Sequence, residues 1–167
     1  MLALGKKVQM GFNIGAKVIH CAFGLGEIAA IEEKIIQGQP INCYVFRAND
    51  LMVWIPINDL QQHSLRVPTL PEEFERLLVM LSNPGESLLE DRVLRKNQLV
   101  TQMKDGQLES ICRVVRDLTN FKRTRRLNDQ EKSILERAVN SVLTEWTYSL
   151  NIPLHQAHQA MTNLLGV

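Results

Sequence analysis

The sequence has only three cysteines, few aromatic residues and no long apolar segment. Cys21, Cys43 and Cys112 are odd in number and far apart, which argues against a disulfide framework and indicates a reducing cytoplasm. No apolar run approaches the roughly 18 residues of a transmembrane helix, so we expect no membrane span. The first residues lack the hydrophobic region of a signal peptide. A net charge of +1 excludes a chain that is strongly basic or acidic throughout.

The apolar residues that are present follow two patterns along the chain. Residues 12–67 carry short apolar runs between turn residues, which predicts a small, strongly bent antiparallel sheet of the barrel kind. From residue 71 to residue 167 the apolar spacing is that of helices, and about five helices are predicted. Residues 1–11 have no periodic pattern and are expected to form an irregular leader. The sequence therefore predicts an α+β fold, a β-barrel followed by an all-α bundle, with the boundary near residue 68.

Local signals place the first three helices. Pro71 suits the first position of a helix, and the acidic residues after it favour the positive end of the helix dipole. Asn83-Pro84-Gly85 ends this helix. The second helix is predicted over about 88–104, with Gly106 as its stop, and the third over about 107–120.

The last two helices also have recognisable starts. Asn128 and Glu131 have the spacing of a capping box, which predicts the start of the fourth helix. The fifth helix is predicted to follow Pro153. Trp146 falls late on the fourth helix and is expected to lie in the core.

Charge is distributed unevenly over the helical part. Residues 72–91 hold six acids and one base, whereas residues 92–126 hold ten bases and three acids. The bases within 122–126 are predicted to lie in a loop between two helices, where their side chains can converge on phosphates. The alternative is a solvated basic face that pairs with the acidic first helix. The charge pattern alone leaves both interpretations open.

Gly24-Leu25-Gly26 follows a short predicted strand and has two interpretations. A dinucleotide-binding fingerprint would need a third glycine at Ala29 and a helix that begins at the loop. Instead a strand-like segment rich in isoleucine follows. The pattern therefore favours a tight turn between two strands.

Histidine and cysteine offer no convincing catalytic or metal site. His155 and His158 are three residues apart on the last helix, but no third ligand lies nearby, so we interpret them as surface or partly packed residues. His20 and Cys21 are neighbours on a strand and point to opposite faces, so they cannot form a base and nucleophile pair. No set of titratable residues has the placement of an active site. The sequence predicts no enzyme activity, no metal and no cofactor.

Several segments, taken in order, carry a resemblance to a known family. The β part contributes Phe12 to Ile28, followed by Ile31, Glu32, Gly38, Tyr44 and Val53-Trp54-Ile55-Pro56. The helical part contributes Gly106, Val114-Val115-Arg116-Asp117-Leu118, Leu127 to Lys132 and Ala138. This ordered set, which covers nearly all of residues 12–165, resembles the CarD/CdnL family of bacterial transcription regulators.

The resemblance implies a fold and a partner for each half of the chain. Residues 12–67 would form a Tudor-like barrel, also found in the transcription-repair coupling factor, that binds the β subunit of RNA polymerase. Its polymerase-binding positions would be Lys34 and Trp54, where the second is usually a base. From the sequence alone, Trp54 is either a core residue or an exposed anchor for a partner. Residues 71–167 would contact promoter DNA at the edge of the transcription bubble and stabilise the open complex.

The family's DNA-binding residues correspond only in part. A tryptophan that wedges into the minor groove would fall on Arg92, which can enter a narrow minor groove but cannot act as an apolar wedge. The resemblance and the basic block together assign phosphate and minor-groove contacts to eight residues: Arg92, Arg95, Lys96, Lys122, Arg123, Arg125, Arg126 and Lys132. The alternative function is a polymerase-binding adaptor whose helical part does not engage DNA. We expect a cytoplasmic, nucleoid-associated monomer, with a strand-swapped dimer left open.

Overall fold

The computed structural model describes residues 11–58 and 64–167 and has an α+β architecture. Five strands come first, and five helices follow. The strands are β1 (Lys17–His20), β2 (Gly24–Ile36), β3 (Gln39–Ala48), β4 (Leu51–Pro56) and β5 (Leu65–Arg66). The helices are α1 (Pro71–Ser82), α2 (Arg92–Lys104), α3 (Leu108–Thr124), α4 (Asp129–Ser149) and α5 (Leu154–Leu165). The predicted fold class is confirmed, and the predicted leader lies outside the described residues except for Gly11.

The strands form one antiparallel sheet with the order β4-β3-β2-β1-β5. The long β2–β3 hairpin lies at its centre, and a bulge in β2 between Ile28 and Ala30 shifts the register. Val18, Ile28 and Phe46 form the core on the inner face of the sheet. Within the described residues the ladder does not join β4 to β5, so these two strands are its edges.

Glycine is required at Gly24 and at Gly26 for two different structural reasons. The reversal between β1 and β2 lies at 21–23, so the predicted turn is correct in kind but falls earlier in the chain. Gly24 starts β2 with a φ of 74°, a left-handed conformation that suits glycine. At Gly26, a Cβ atom would lie 2.5 Å from the Phe46 ring and from the Arg47 carbonyl oxygen. Gly26 therefore allows β3 and its aromatic side chain to approach closely.

The helix boundaries follow their caps, and two of the predicted boundaries are wrong. The α2 helix begins at Arg92 rather than near residue 88, because the Asp91 carboxylate accepts hydrogen bonds from the backbone N–H groups of Val93 and Leu94. The α3 helix continues to Thr124, so the bases at its end are partly helical rather than all in a loop. The capping box predicted for α4 is confirmed.

The helices pack around α3, which has the most buried residues of the five. Its buried apolar side chains meet those of α1, α4 and α5 in one core. Trp146 of α4 lies in this core, as predicted, with its ring 5.7 Å from that of Phe74. Cys112 is also buried there, and burial raises the pKa of its thiol to about 12. None of the described helices has the length and apolarity needed to cross a membrane.

A single buried carboxylate joins the sheet to the helices. Glu145 of α4 accepts two hydrogen bonds, of 2.7 and 2.8 Å, from the guanidinium group of Arg66 on β5. It also accepts from the backbone N–H and the hydroxyl of Thr69 in the connection to α1. Arg66 donates a further bond to the Gly106 carbonyl before α3. We call this arrangement the Arg66–Glu145 joint.

A second contact lies beside the joint. A Cβ atom at Gly106, whose φ is 71°, would lie 2.8 Å from the Cβ of Cys21. Cys21 is therefore a half-buried residue at the junction of the two parts, whereas Cys43 and Cys112 are buried. All three cysteines are free thiols.

Candidate functional surfaces

Trp54 is an exposed residue on the outer face of the sheet, which excludes the interpretation of this side chain as a core residue. Its indole is 41% exposed, and its Nε1 donates a hydrogen bond of 2.7 Å to the Glu32 carboxylate on β2. The Lys34 ammonium lies 4.7 Å from the indole ring centroid and 3.4 Å from the same carboxylate. Lys34 and Trp54 are thus brought together, with Glu32 between them. We call these three residues the sheet surface.

The strand register explains why residues 22 positions apart meet here. Trp54 pairs with Val45 on β3, and Glu32 pairs with Cys43 on the same strand. The indole reaches across β3, and Val45 and Cys43 are fully buried although they lie on the outer face. The hydrogen bond from Trp54 lowers the pKa of Glu32, and Lys34 adds to the effect. The carboxylate therefore stays charged and holds both partners.

A second charged row runs beside the sheet surface. Glu27 on β2 accepts hydrogen bonds from Lys17 at 3.1 Å and from Arg47. These bonds, that from Arg47 first, lower the pKa of Glu27. Charges on this face of the sheet therefore lie in opposite-sign pairs.

A basic surface forms where the start of α2, the end of α3 and the start of α4 meet. Three bases line a pocket of about 460 Å³ together with two leucines and one acid: Lys122, Arg126, Lys132, Leu127, Leu135 and Glu136. Arg125 contacts the Glu90 carboxylate through both guanidinium NH groups, at 2.7 and 3.1 Å. We define the basic surface as the exposed side chains at this junction: Arg92, Lys96, Lys122, Arg125, Arg126 and Lys132.

Most of the basic surface is free of acidic partners. In the described ranges, Arg92, Lys96, Lys122 and Arg126 have no carboxylate oxygen within 4.0 Å, whereas Lys132 lies 3.3 Å from Asp129. Unpaired bases repel one another, so this surface favours an anionic partner. The interpretation as a basic face paired with the acidic first helix is not supported, because α1 contributes no ion pair to these residues.

Two of the predicted DNA-binding residues lie elsewhere. Arg95 is only 5% exposed, and its guanidinium group donates to Glu131 and to two backbone carbonyls. Arg95 is therefore not one of the exposed bases that were predicted to face DNA, because its side chain is buried and its Nε and one terminal NH group donate inside the helical part. Arg123 is exposed but donates to the Leu165 carbonyl at the end of α5, away from the pocket of the basic surface.

Exposed apolar side chains that the sequence analysis did not predict lie next to Arg92 of the basic surface. Leu89, Val93 and Leu94 are all exposed, Val93 by 66%, and they flank Arg92 in sequence. The sequence held no clear signal for this, because Val93 and Leu94 fall outside a period that becomes visible only once Arg95 and Leu99 are known to be the buried residues of α2. The start of α2 therefore combines one base with three solvent-exposed aliphatic side chains.

No cluster of three or more potential metal ligands exists in the part of the chain that the structure describes. His155 and His158 are exposed on α5, as predicted. His20 lies in a cleft of about 560 Å³ between the sheet and the helices, near Cys21 and the joint. Its Nδ1 accepts a hydrogen bond of 3.0 Å from the Ala22 N–H, and burial lowers its pKa, so the neutral ring is favoured. The His20 side chain therefore accepts a hydrogen bond from the backbone of the turn that follows β1.

The helical part matches a class of domain that is already known. Residues 76–162, more than half of the chain, match the family model described as the C-terminal domain of CarD, and the whole basic surface lies inside this range. The chain belongs to the CarD family, which confirms the resemblance.

A curated relative extends the similarity beyond the helices. The chain is 29% identical over 140 residues to a Bacillus subtilis (strain 168) protein named "Putative transcription factor YdeB". The alignment covers 80% of this chain and 89% of that protein. Because a span of 140 residues is longer than the helical part alone, the similarity includes part of the sheet.

Proposed function

We propose that this protein regulates transcription by binding the β subunit of RNA polymerase through the sheet surface and promoter DNA through the basic surface. The observation that carries the proposal is the convergence of six exposed bases at one helix junction, within the range that matches the CarD family. The name of the Bacillus subtilis relative supports the same class of function. In this proposal the protein acts by binding and catalyses no reaction.

Contacts with phosphate groups account for the basic surface. Lysine and arginine side chains that neutralise phosphates release counterions, and this supplies affinity without reading sequence. The pocket places three bases, Lys122, Arg126 and Lys132, beside aliphatic side chains, and only one acid, Glu136, also lines it. Such a pocket suits a phosphate and the sugar beside it.

The start of α2 is proposed to contact the minor groove. The family resemblance implies an apolar wedge at this position, and the chain has Arg92 there. An arginine is attracted to the negative potential of a narrow groove. The neighbouring Leu89 and Val93 are exposed aliphatic side chains of the kind that can insert between base steps. In this proposal, Arg92 and the neighbouring aliphatic side chains together take the place of the tryptophan that the family resemblance implies.

The sheet surface is proposed to bind polymerase. An exposed tryptophan held by a hydrogen bond and a stacked lysine is already ordered before binding, so less side-chain entropy is lost on association. Trp54 also lies on β4, an edge strand of the described ladder, where backbone groups are open to a further strand. Tryptophan is the residue type most enriched among strong contacts at protein interfaces.

Stabilisation of the open complex would result from differential binding. A protein that contacts polymerase in both states, but reaches DNA better in the open one, shifts the equilibrium toward the open state. Couplings of about 1–3 kcal/mol are typical of such linkage. The measurement is the lifetime of the open complex on a promoter, with and without the protein. An unchanged lifetime at saturating protein would contradict the stabilisation.

The adaptor function is the alternative, and a forked promoter fragment separates it from the proposal. If the basic surface binds DNA, Arg92→Ala and Lys132→Ala should each weaken binding and reduce the salt slope by about 1. Lys104→Ala is the matched control, because Lys104 is an exposed base about 18 Å along the same helix from Arg92. Salt slopes of Arg92→Ala and Lys132→Ala that are unaltered from wild type would favour the adaptor.

A further inference from the structure

The guanidinium group of Arg95 is a buried point of contact between several segments. On the first turn of α2, its Nε donates a hydrogen bond of 2.8 Å to the Glu131 carboxylate. One terminal NH group donates to the carbonyls of Leu89 and Glu90, at 2.8 and 3.0 Å. Its central carbon lies 4.8 Å from the ring centroid of Phe121.

The four partners of Arg95 come from different parts of the chain. Leu89 and Glu90 belong to the connection that leads into α2, and Phe121 lies in the last turn of α3. Glu131 lies in the first turn of α4, where its second carboxylate oxygen also accepts from the Asn128 N–H in the capping box. One planar group thus fixes the end or the start of three helices relative to one another.

Each contacted segment carries part of the basic surface. Arg92 follows the connection whose carbonyls Arg95 holds, and Lys132 follows Glu131 directly. Lys122 and Arg125 follow Phe121 in the chain. The Arg125 guanidinium carbon lies 5.9 Å from the centroid of the Phe121 ring, on which Arg95 also stacks. The buried group is therefore surrounded by the exposed bases without being one of them.

We propose that Arg95 is a positioning residue that sets the arrangement of the basic surface and itself contacts no DNA. This inference rests on the proposed function, because it explains how that surface is assembled. A buried ion pair is often no more stabilising than apolar residues of similar volume, so the role proposed for Arg95 is to specify geometry rather than to add stability. Lysine is a poor substitute at such a site, because a planar fork is needed to reach Glu131 and two carbonyls together.

The test uses the full chain and three variants. Arg95→Met approximately keeps the volume of the side chain and removes its hydrogen-bond donors. Arg95→Lys keeps the positive charge but loses the planar guanidinium group. Lys96→Met is the matched control, because Lys96 is the next residue on α2 and is exposed. Two properties are measured: amide hydrogen exchange of the free protein, and the salt slope of binding to a forked promoter fragment.

The positioning role predicts a specific combination of results. In Arg95→Met and Arg95→Lys, exchange should become faster in residues 89–92, 121–126 and 128–132. The salt slope should fall by more than about 1, because several phosphate contacts are lost together. Lys96→Met should lower the slope by about 1 and leave exchange unchanged.

Other results would overturn the proposal. Unchanged exchange in both Arg95 variants would show that the guanidinium group does not order these segments. Full rescue of DNA affinity by Arg95→Lys would indicate a direct charge contact with phosphate. If Arg95→Met does not fold, Arg95→Lys decides through the same two measurements. A wild-type protein whose DNA binding does not depend on salt would contradict the proposed function, whereas the exchange data would still decide the structural role of Arg95.

Discussion

The two candidate surfaces use charge in opposite ways. On the sheet surface, Lys34 and Trp54 both contact Glu32, so the positive charge is neutralised within the surface. On the basic surface, four of six bases have no acidic partner within the described residues, and the main buried ion pair lies underneath, between Arg95 and Glu131. The sheet surface is therefore an aromatic patch whose charges are paired, whereas the basic surface carries mostly unpaired positive charge.

The difference in charge suits the two surfaces to different kinds of partner. Association with a polyanion is driven by counterion release and weakens steeply as salt rises. Association through a desolvated aromatic anchor depends on burial of area and changes little with salt. The two surfaces should therefore respond independently to mutation and differently to ionic strength.

The largest expected effect comes from reversing charge at the pocket of the basic surface. In the double variant Lys122→Glu/Arg126→Glu, attraction to phosphates becomes repulsion. Affinity for a forked promoter fragment at low salt should fall by about a hundredfold or more, and the salt slope by about 2 or more. Binding to the polymerase β subunit should stay unchanged. Fluorescence anisotropy across a salt series measures the affinity for DNA, and calorimetry measures binding to the polymerase β subunit.

A control double variant separates local position from total charge. Lys104→Glu/Arg113→Glu changes the net charge of the chain by the same amount but lies outside the basic surface. It should lose much less affinity for DNA. An equal loss in the two double variants would mean that net charge alone drives binding, and the basic surface would not be a defined site.

A moderate effect is expected from truncating the aromatic anchor. Trp54→Ala should weaken binding to the polymerase β subunit by about 2 kcal/mol, or roughly 30-fold, as for a strong interface contact. Affinity for DNA should not change. Met52→Ala is the matched control, because Met52 is also exposed on β4. A similar small loss for both variants in calorimetry would argue against Trp54 as an anchor.

The smallest effect is a pH dependence that belongs to neither surface. Burial lowers the pKa of His20, so below the ordinary histidine pKa the unfolded chain binds more protons than the folded one. The contribution of His20 to stability is present above that ordinary value and is lost as pH falls through the folded pKa. His20→Asn, whose side-chain oxygen can accept from the Ala22 N–H, should remove this dependence. Melting temperatures of wild type and variant between pH 5 and pH 7 test it, with His158→Asn as an exposed control.

Local signals made much of the fold predictable. Asn128 and Glu131 are three residues apart, so the capping box and the start of α4 are visible in a short window of sequence. The helical period placed Trp146 in the core for the same reason. The pair Lys34 and Trp54 was placed by the family resemblance, and the structure brings the two side chains together.

Distant pairings account for what the sequence did not reveal. Arg95 pairs with Glu131 across 36 positions, and Arg66 with Glu145 across 79. An arginine on a predicted helix is interpreted as a surface base, because burial depends on a partner that no local pattern identifies. Likewise, the need for Gly26 arises from the ring of Phe46 on the next strand. Its turn-like spacing gave no indication of that contact.

The Arg66–Glu145 joint has a consequence for how two weak interactions combine. Because the sheet and the helices are tied by a buried carboxylate that accepts four hydrogen bonds, a partner bound to one surface would hold the other at a fixed distance from its target. The second contact then becomes intramolecular, with an effective concentration set by geometry rather than by the amount of protein. Lengthening residues 67–70 and removing Glu145 should leave each separate affinity unchanged but lower the effective concentration, and therefore the combined affinity for both targets. In the proposed function, the joint would therefore fix the distance between the two binding surfaces.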